Sequence, residues 1–401
     1  MAAKADLYQD GRERSLLFFL HSLSLKRGGL RRVAQDLALT FPSPNDEGLA
    51  HLLAELCINP KVAVAFSDGV PRKRSQPLSQ TLCDLLHQFQ DRYEAKAKAD
   101  LVMTSIGREV FDTLDHALAM GNMVVLEGNS GIGKTTAVEA WCAAHHGEAR
   151  LVSLSGISHK TGFFQKLATA IGLAASNRKA TDMQVKVEEF FRRTGLMLMI
   201  DEAHYLWPQH QRSHSSPELV DWVNTALVNQ RVPVALICTD QFAKLKARVE
   251  KRTGWTSEQL EHRVKRYKKL PAAPTKQDLN SVATKLLTMR WNRDDHRWSS
   301  VGLAPSEDFV KMVVGYALTC KMQLPAVANT VEEARYQARK RERSDVLATD
   351  IHAALLDYQI PSDRALRQAF EPFKKERMRA PQTVADSSLA TAMQSQCNRI
   401  A

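Results

Sequence analysis

Long apolar runs are missing from this chain. The nearest approach, Leu16-Leu-Phe-Phe-Leu20, is too short to span a bilayer and is interrupted by His21. Acidic residues precede it, which argues against a signal peptide. The expectation is therefore a soluble, cytoplasmic protein with no membrane partner. Paired cysteines are missing too. Cys57, Cys83, Cys142, Cys238, Cys320 and Cys397 are scattered with no C-x-x-C pair, which excludes a zinc or disulfide framework and suits free thiols in a reducing compartment. Cys142 and Cys238 lie in apolar surroundings and read as core. No internal repeat or low-complexity tract is visible. Negative charge is in deficit: 44 Asp and Glu stand against 55 Lys and Arg, for a net charge of +11 and a pI near 9.4. That excess favours a polyanionic partner, nucleic acid being the commonest. A basic protein without such a partner is the alternative. The 401 residues suffice for two or three domains with packed cores.

What is present centres on Met123-Val-Val-Leu-Glu-Gly128-Asn129-Ser130-Gly131-Ile132-Gly133-Lys134-Thr135-Thr136. A short apolar run leads into a glycine-rich turn and a helix start, the G-x-x-x-x-G-K-[ST] pattern of a phosphate-binding loop. Glycines 128, 131 and 133 are expected to carry the backbone through positive φ, so that successive N–H groups point into one concavity. A helix beginning near Lys134 adds its unpaired N–H groups and the positive end of its dipole. Lys134 is expected to reach the β- and γ-phosphates of ATP, and the Thr135 hydroxyl to bind Mg²⁺.

From Leu101 the pattern alternates between strand and helix, as a parallel sheet demands. Strands are predicted at 123–127, 149–153, 196–201 and 233–238, and helices at 135–145, 161–171, 182–193 and 217–230. The third strand runs into Asp201-Glu202-Ala203-His204. An apolar strand ending in Asp-Glu, one strand beyond a phosphate loop, is a Walker B pattern. Asp201 would hold Mg²⁺, and Glu202 would orient and deprotonate the attacking water. The paired acids argue for hydrolysis rather than binding alone. The fourth strand ends at Cys238-Thr239-Asp240. Thr239, with Asp240 second, is placed to sense the γ-phosphate or position water, while an Asp240 that merely caps the next helix fits equally well. His204, His210 and His214, with Trp207 and Pro208 among them, match no metal-ligand spacing and read as a surface loop. Thr256 and Gln259 form a capping-box signal, which puts Arg263 near the end of a short helix. Arginine there can face a neighbouring subunit's nucleotide. Arg266, Lys265, Lys268 and Lys269 fit a DNA-facing strand or plain solvation, and the trans-acting arginine could be Arg263 or Arg266.

The flanks read as helical. Before the core, helices are predicted at 15–25, 29–39 and 47–56, with a proline-containing turn at 41–46. Arg12, Lys26, Arg27, Arg31 and Arg32 nearby allow a DNA-binding reading, and a partner-docking domain explains the pattern as well. A basic, proline-bounded stretch at 71–77 precedes a long polar helix at 78–98. Beyond Pro271 strands are expected to stop, with helices at 275–289, 306–318, 324–340 and 349–356, and a charge run at 338–343 on or just after a helix. From Ala380 the tail loses periodicity. The expected domains are 1–100, a helical DNA- or partner-binding region; 101–272, the ATPase core; 273–360, a helical lid; and 361–401, a tail.

Gly128–Thr135, Asp201-Glu202, the polar residue after the fourth strand, the arginine at 263 and the trailing helices together resemble an AAA+ ATPase: an α/β P-loop parallel-sheet core with a C-terminal α-helical lid, here after an N-terminal helical domain. Within that class, over about residues 101–358, the chain is similar to the transposition ATPases of the Mu B, TnsC and TniB kind. The likeness rests on the motif order, on Ile200-Asp-Glu-Ala-His204 and on Gln259-Leu-Glu-His-Arg-Val264 ahead of Leu270-Pro271. The resemblance implies an ATP- and Mg²⁺-dependent ATPase that oligomerises as a ring or helical filament on double-stranded DNA. It would recruit or activate a transposase and be dismantled by hydrolysis. ATPases of secretion or cell-envelope systems, nucleotide-dependent signalling or defence switches and helicase loaders share the layout. Many AAA+ lids carry a Gly-x-Pro-Arg sensor arginine, but Lys321-Met-Gln-Leu-Pro325-Ala stands in its place, so a lid sensor would be Lys321 or absent.

Overall fold

In the computed structural model, residues 11–27, 33, 80–156, 159–173, 179–208, 216–292, 297–299 and 305–357 are described. The predicted helices at 29–39 and 47–56, the 71–77 stretch, Arg31, Arg32, His210, His214, Cys57, Cys397 and the tail lie outside these residues. Two compact units form. Among the described residues, one comprises those up to 101, then those in 109–128 and 135–270; the other comprises those in 102–108, 129–134 and 271–357.

The first unit is built on five parallel strands: β1 (Met123–Glu127), β2 (Ala149–Ser153), β3 (Met197–Asp201), β4 (Val234–Cys238) and β5 (Val264–Lys269). Their order is β2-β3-β4-β1-β5. The three central strands are buried along their whole length. That is why they read as unbroken apolar runs rather than alternating ones, both faces of a parallel sheet being covered. β5 lies outside the four apolar runs read as strands, although a strand is one of the two readings of its basic residues. Its sequence, Val-Lys-Arg-Tyr-Lys-Lys, alternates between half-buried and exposed positions at the sheet edge, and lysines on an edge also blunt pairing with other chains. It is registered on β1 from Met123↔Val264 to Glu127↔Lys269. Arg266 is tied to Asp112 at 2.7 Å and Lys268 to Glu109 at 3.0 Å.

Six described helices surround these strands: α1 (Gly11–Arg27), α2 (Gln80–Asp100), α3 (Ser105–Met120), α4 (Lys134–Ala144), α5 (Lys160–Ala170) and α6 (Ala180–Thr194). Phe163, Phe164, Phe190 and Phe191 from α5 and α6 fill the core beneath β1, β3 and β4. Trp222 meets Phe163 and Phe164 edge-on at 5.4 and 5.0 Å, contacts worth about 0.5–1.5 kcal/mol each beyond burial. The single helix expected over 217–230 is in fact α7 (Glu218–Trp222), a π turn over Val223–Leu227 and a 3₁₀ turn over Val228–Gln230. It stops at Arg231 in a left-handed conformation, φ 57°. Then come α8 (Gln241–Thr253) and α9 (Glu258–Arg263). The N-terminal helix shares this unit. Phe18 of α1 belongs to the same core cluster as the strand residues, and Phe19 meets Phe89 and Tyr93 of α2 edge-on.

The second unit is helical: α10 (Lys276–Thr288), α11 (Glu307–Leu318), α12 (Gln323–Lys340) and α13 (Ala348–Asp357) pack around Leu279, Val313, Tyr316, Val327, Val331 and Ile351. Strands do not stop at Pro271, as the sequence led us to expect. β6 (Arg290–Asn292) and β7 (Arg297–Ser299) pair antiparallel, with Trp291 opposite Trp298. Each tryptophan carries an arginine from α12 on its face, Arg339 at 4.1 Å and Arg335 at 5.0 Å. The hairpin is only three residues a side and takes its anchorage from these cation–π contacts.

Candidate nucleotide-binding site

β1 runs between β4 and β5; the connection leaving β1 goes to β2 on one side, and the one leaving its neighbour β4 goes to β5 on the other, so the chain turns to opposite sides at this pair of strands. In open α/β sheets the crevice at the carboxyl ends of the strands at such a point receives ligands. The 128–135 loop leaves β1 there. Gly128 does not take positive φ, contrary to expectation; its N–H donates to Cys238 O at 3.1 Å and so extends the pairing of β1 with β4. The turn is made by Gly131 (φ 77°) and Gly133 (φ 91°), a conformation that costs a side-chain-bearing residue about 1 kcal/mol or more. The space is occupied as well. A Cβ on Gly131 would lie 3.0 Å from Met322 Cε and 3.3 Å from Pro325 Cγ, and one on Gly133 would lie 3.1 Å from Leu324 Cδ1. Thus the stretch that replaces the lid arginine motif, within the same compact unit as 129–134, sets apolar side chains against the loop, while Lys321 is exposed.

α4 begins at Lys134, presenting the unpaired N–H groups of its first turn beside the loop. The buried Lys134 donates from Nζ to Asn129 O at 2.6 Å, across the loop it closes. Asn129 Nδ2 donates to Ala272 O at 3.0 Å. Ser130 and Thr136 are exposed and Ile132 is buried. One turn into the contact, Thr135 Oγ1 donates to Asp201 Oδ2 at 2.9 Å. The loop's hydroxyl and the strand-end carboxylate predicted as metal ligands are therefore in direct contact, and this hard oxygen pair is what a Mg²⁺ site uses. Asp201 Oδ1 accepts from Glu202 N at 2.9 Å.

Glu202 stands in the left-handed region, φ 56° and ψ 40°, which is uncommon for a residue other than glycine and marks a backbone held by its surroundings. A 3₁₀ turn over Ala203–Leu206 follows. His204 is buried rather than on a surface loop, with Nδ1 3.2 Å from Glu202 Oε2. Trp207, also read as part of that loop, is 1% exposed and packs edge-on against Phe242 and Trp255. The buried imidazole and indole were missed because three histidines in a polar stretch look solvated, although their sequence gives no sign of the turn that folds them inward.

Thr239 ends β4 next to β1, and its Oγ1 is buried without a hydrogen-bond partner in the described structure. An orphaned hydroxyl there is what a γ-phosphate or water ligand would satisfy. Asp240 precedes α8 but makes no side-chain cap; its carboxylate pairs with Lys244, which holds it below the usual carboxylate range. The capping box read at Thr256 and Gln259 does not form. Ser257 is the residue ahead of α9, its hydroxyl donating to Glu261 Oε1 at 2.8 Å and its N–H to Glu250 Oε1 at 3.2 Å. Arg263 does close that helix, with Nη1 3.4 Å from Gln259 O.

Residues 119–245 match the family described as AAA domain. The chain carries an AAA domain. The chain is similar to the Mu-like prophage FluMu DNA transposition protein B of Haemophilus influenzae, with 23% identity over 105 residues. That stretch is 26% of this chain and spans a little over a third, 37%, of the relative's length. Among solved structures it aligns with Cdc6p from Pyrobaculum aerophilum, at TM-score 0.42 and 11% identity over 73% of this chain and 94% of that one. It also aligns with the Thermotoga maritima RuvB Holliday junction branch migration motor, at TM-score 0.37 and 14% identity over 72% and 80%. The match ends at residue 245, before β5, so Arg263 and everything beyond it lie outside it. Among the described residues no helix is long and apolar enough to cross a membrane.

Proposed function

We propose that this AAA+ protein hydrolyses ATP with Mg²⁺ and uses the nucleotide state to control its assembly on double-stranded DNA, where it recruits or activates a transposase. The observation that carries the ATPase reading is the Thr135–Asp201 contact beside a loop whose two glycines are at positive φ. In this reading Gly128–Thr136 cradles the phosphates with backbone N–H groups, and Lys134 leaves Asn129 O to meet the β- and γ-oxygens. Thr135 and Asp201 would hold the metal, which would supply positive charge to neutralise the phosphates. Glu202 takes the proton of the attacking water, and Thr239 positions that water or reads the γ-phosphate. Arg263 at the end of α9 reaches the site of a neighbouring copy, which makes a ring or filament the active form. The domain boundaries at 1–100, 101–272, 273–360 and 361–401 are part of the same proposal, as is a cytoplasmic location.

Two observations support the DNA and transposition part. One is the likeness to a DNA transposition protein B. The other is where the positive charge sits. Residues 241–270, covering α8, α9 and β5, hold ten Lys and Arg against three Glu. Lys246 is paired with Glu261, Lys244 with Asp240, Arg266 with Asp112 and Lys268 with Glu109. Lys251, Arg252, Lys265 and Lys269 are exposed and form a set suited to phosphate contacts, which position a duplex without reading its bases.

The test is duplex binding by the full chain with no nucleotide, with ADP and with a non-hydrolysable ATP analogue, across a salt series. Tight, cooperative binding with the analogue alone is expected. Neutralising about six phosphates would cost on the order of 10³ in affinity between about 50 and 200 mM salt. Binding that ignores nucleotide, or no binding, sinks the assembly reading.

A further inference from the structure

We infer that His204 is the positioning residue for Glu202, fixing the carboxylate that the proposed hydrolysis uses as base. The inference rests on that base assignment and adds a residue to it. Glu202 leaves β3 in the left-handed conformation, and the next four residues close a 3₁₀ turn, with Tyr205 N donating to Glu202 O at 3.0 Å and Trp207 N to His204 O at 3.3 Å. This reversal brings the side chain at 204 back beneath the one at 202. His204 Nδ1 then lies 3.2 Å from Glu202 Oε2. The pair stands at ion-pair distance without hydrogen-bond alignment in this conformation, and since a carboxylate only accepts, a hydrogen bond between them would need the proton on Nδ1. The imidazole side chain is 8% exposed and the carboxylate 36% exposed: one side of the acid lies against a buried ring nitrogen and the other is open.

The ring has little freedom to leave. It lies against the Tyr205 ring, centroids 4.4 Å apart, and the turn that carries it is pinned at its far end by the buried Trp207 between Phe242 and Trp255. A glutamate on an exposed strand end has three rotatable bonds, and only a small share of its rotamers would aim an oxygen at an attacking water. A buried ring beside one oxygen, donating to it once the carboxylate turns into line, would select that share and leave the other oxygen to take the proton.

The experiment compares steady-state ATP hydrolysis by the full chain and by His204→Leu, His204→Asn, His204→Gln and Glu202→Gln. Asparagine puts an amide N–H where Nδ1 stands, whereas glutamine puts it nearer Nε2. Expected are a loss of about tenfold or more in kcat for His204→Leu with KM for ATP unchanged, recovery of most of it in His204→Asn, and none in His204→Gln. Equal rates in Asn and Gln would mean that His204 only fills space. A rise in kcat in His204→Leu would mean that it holds the base away from water. Either result overturns the inference. Glu202→Gln reads the underlying assignment separately, since hydrolysis surviving there removes the base itself, whatever the histidine variants do.

Discussion

Lys134 illustrates how much of the site is held by single side chains. Its ammonium is buried and donates to a carbonyl of its own loop, Asn129 O, so the loop is closed around a cation, the group that the proposed function sets against phosphate oxygens. Replacing Lys134 by Ala should weaken ATP by about 3 kcal/mol or more, roughly a hundredfold, since charge-assisted bonds to phosphate are lost and nothing else in the loop carries charge. Titration with a fluorescent ATP analogue reads this directly, and an unchanged affinity would remove Lys134 from the site. Thr135, Asp201, Glu202 and Thr239 were legible because each sits at a strand or loop end fixed by an apolar run. His204 and the orphan Thr239 hydroxyl acquired meaning only from what surrounds them.

Among the elements, α10 has the strongest cap. Thr275 and Asp278 form a reciprocal capping box, and Asp278 also accepts from Ser105 N at 2.7 Å and Ser105 Oγ at 2.5 Å, at the start of α3. Burial pushes the Asp278 carboxyl up, but the donors from Ser105 and Thr275 outweigh it and hold it below the ordinary range. Asp278→Ala should destabilise the helical unit by about 2–4 kcal/mol, one cap plus two bonds to a charged acceptor. The readout is a thermal melt followed by tryptophan fluorescence. Because its pKa is depressed on folding, the stabilisation is present above the ordinary carboxylate pKa and lost as pH falls through the lowered value. The charge run at 338–343 has a similar explanation. α12 ends at Lys340, and Arg341 and Arg343 both turn to the fully buried Asp350 at 2.7 and 2.5 Å, so these two arginines hold α13 in place.

On the scale of the molecule, acid should loosen the first unit at the seam between α1 and the strands. Arg150, 4% exposed, donates to His146 O and Ala149 O, with Phe18 O and His21 Nδ1 at 3.5 Å. Burial, then the charge of Arg150, lowers His21 to about 3; burial, then Lys26 and Arg150, lowers His146 to about 3. Both rings are neutral when folded and would protonate near 6.5 when unfolded. Their contribution is therefore complete above about pH 6.5 and falls away towards pH 3, by about 1.4 kcal/mol per histidine for each pH unit. Urea unfolding at pH 7.5, 6 and 5 should show this slope. His21→Phe with His146→Phe should flatten it, and a parental slope in the double variant would refute the assignment.

The sequence by itself determined the central strands, the phosphate loop, the Asp-Glu strand end and most of the helical unit. Fully buried parallel strands and glycine turns leave patterns that need no partner to be read: the runs at 123–127, 196–201 and 233–238 coincide with β1, β3 and β4 to within one residue. Tertiary structure decided what depends on a neighbour. β5 is polar in sequence and becomes a strand because β1 offers its free edge. The segment 217–230 carries a helical pattern yet breaks after Trp222, which packs on Phe163 and Phe164, into a π turn and a 3₁₀ turn. The β6–β7 hairpin exists where α12 supplies arginines to its tryptophans. His204 faces Glu202 because a left-handed residue reverses the chain between them. Local propensity is blind to each of these, since the energy that fixes them comes from residues distant in sequence or from a backbone conformation that only packing sustains.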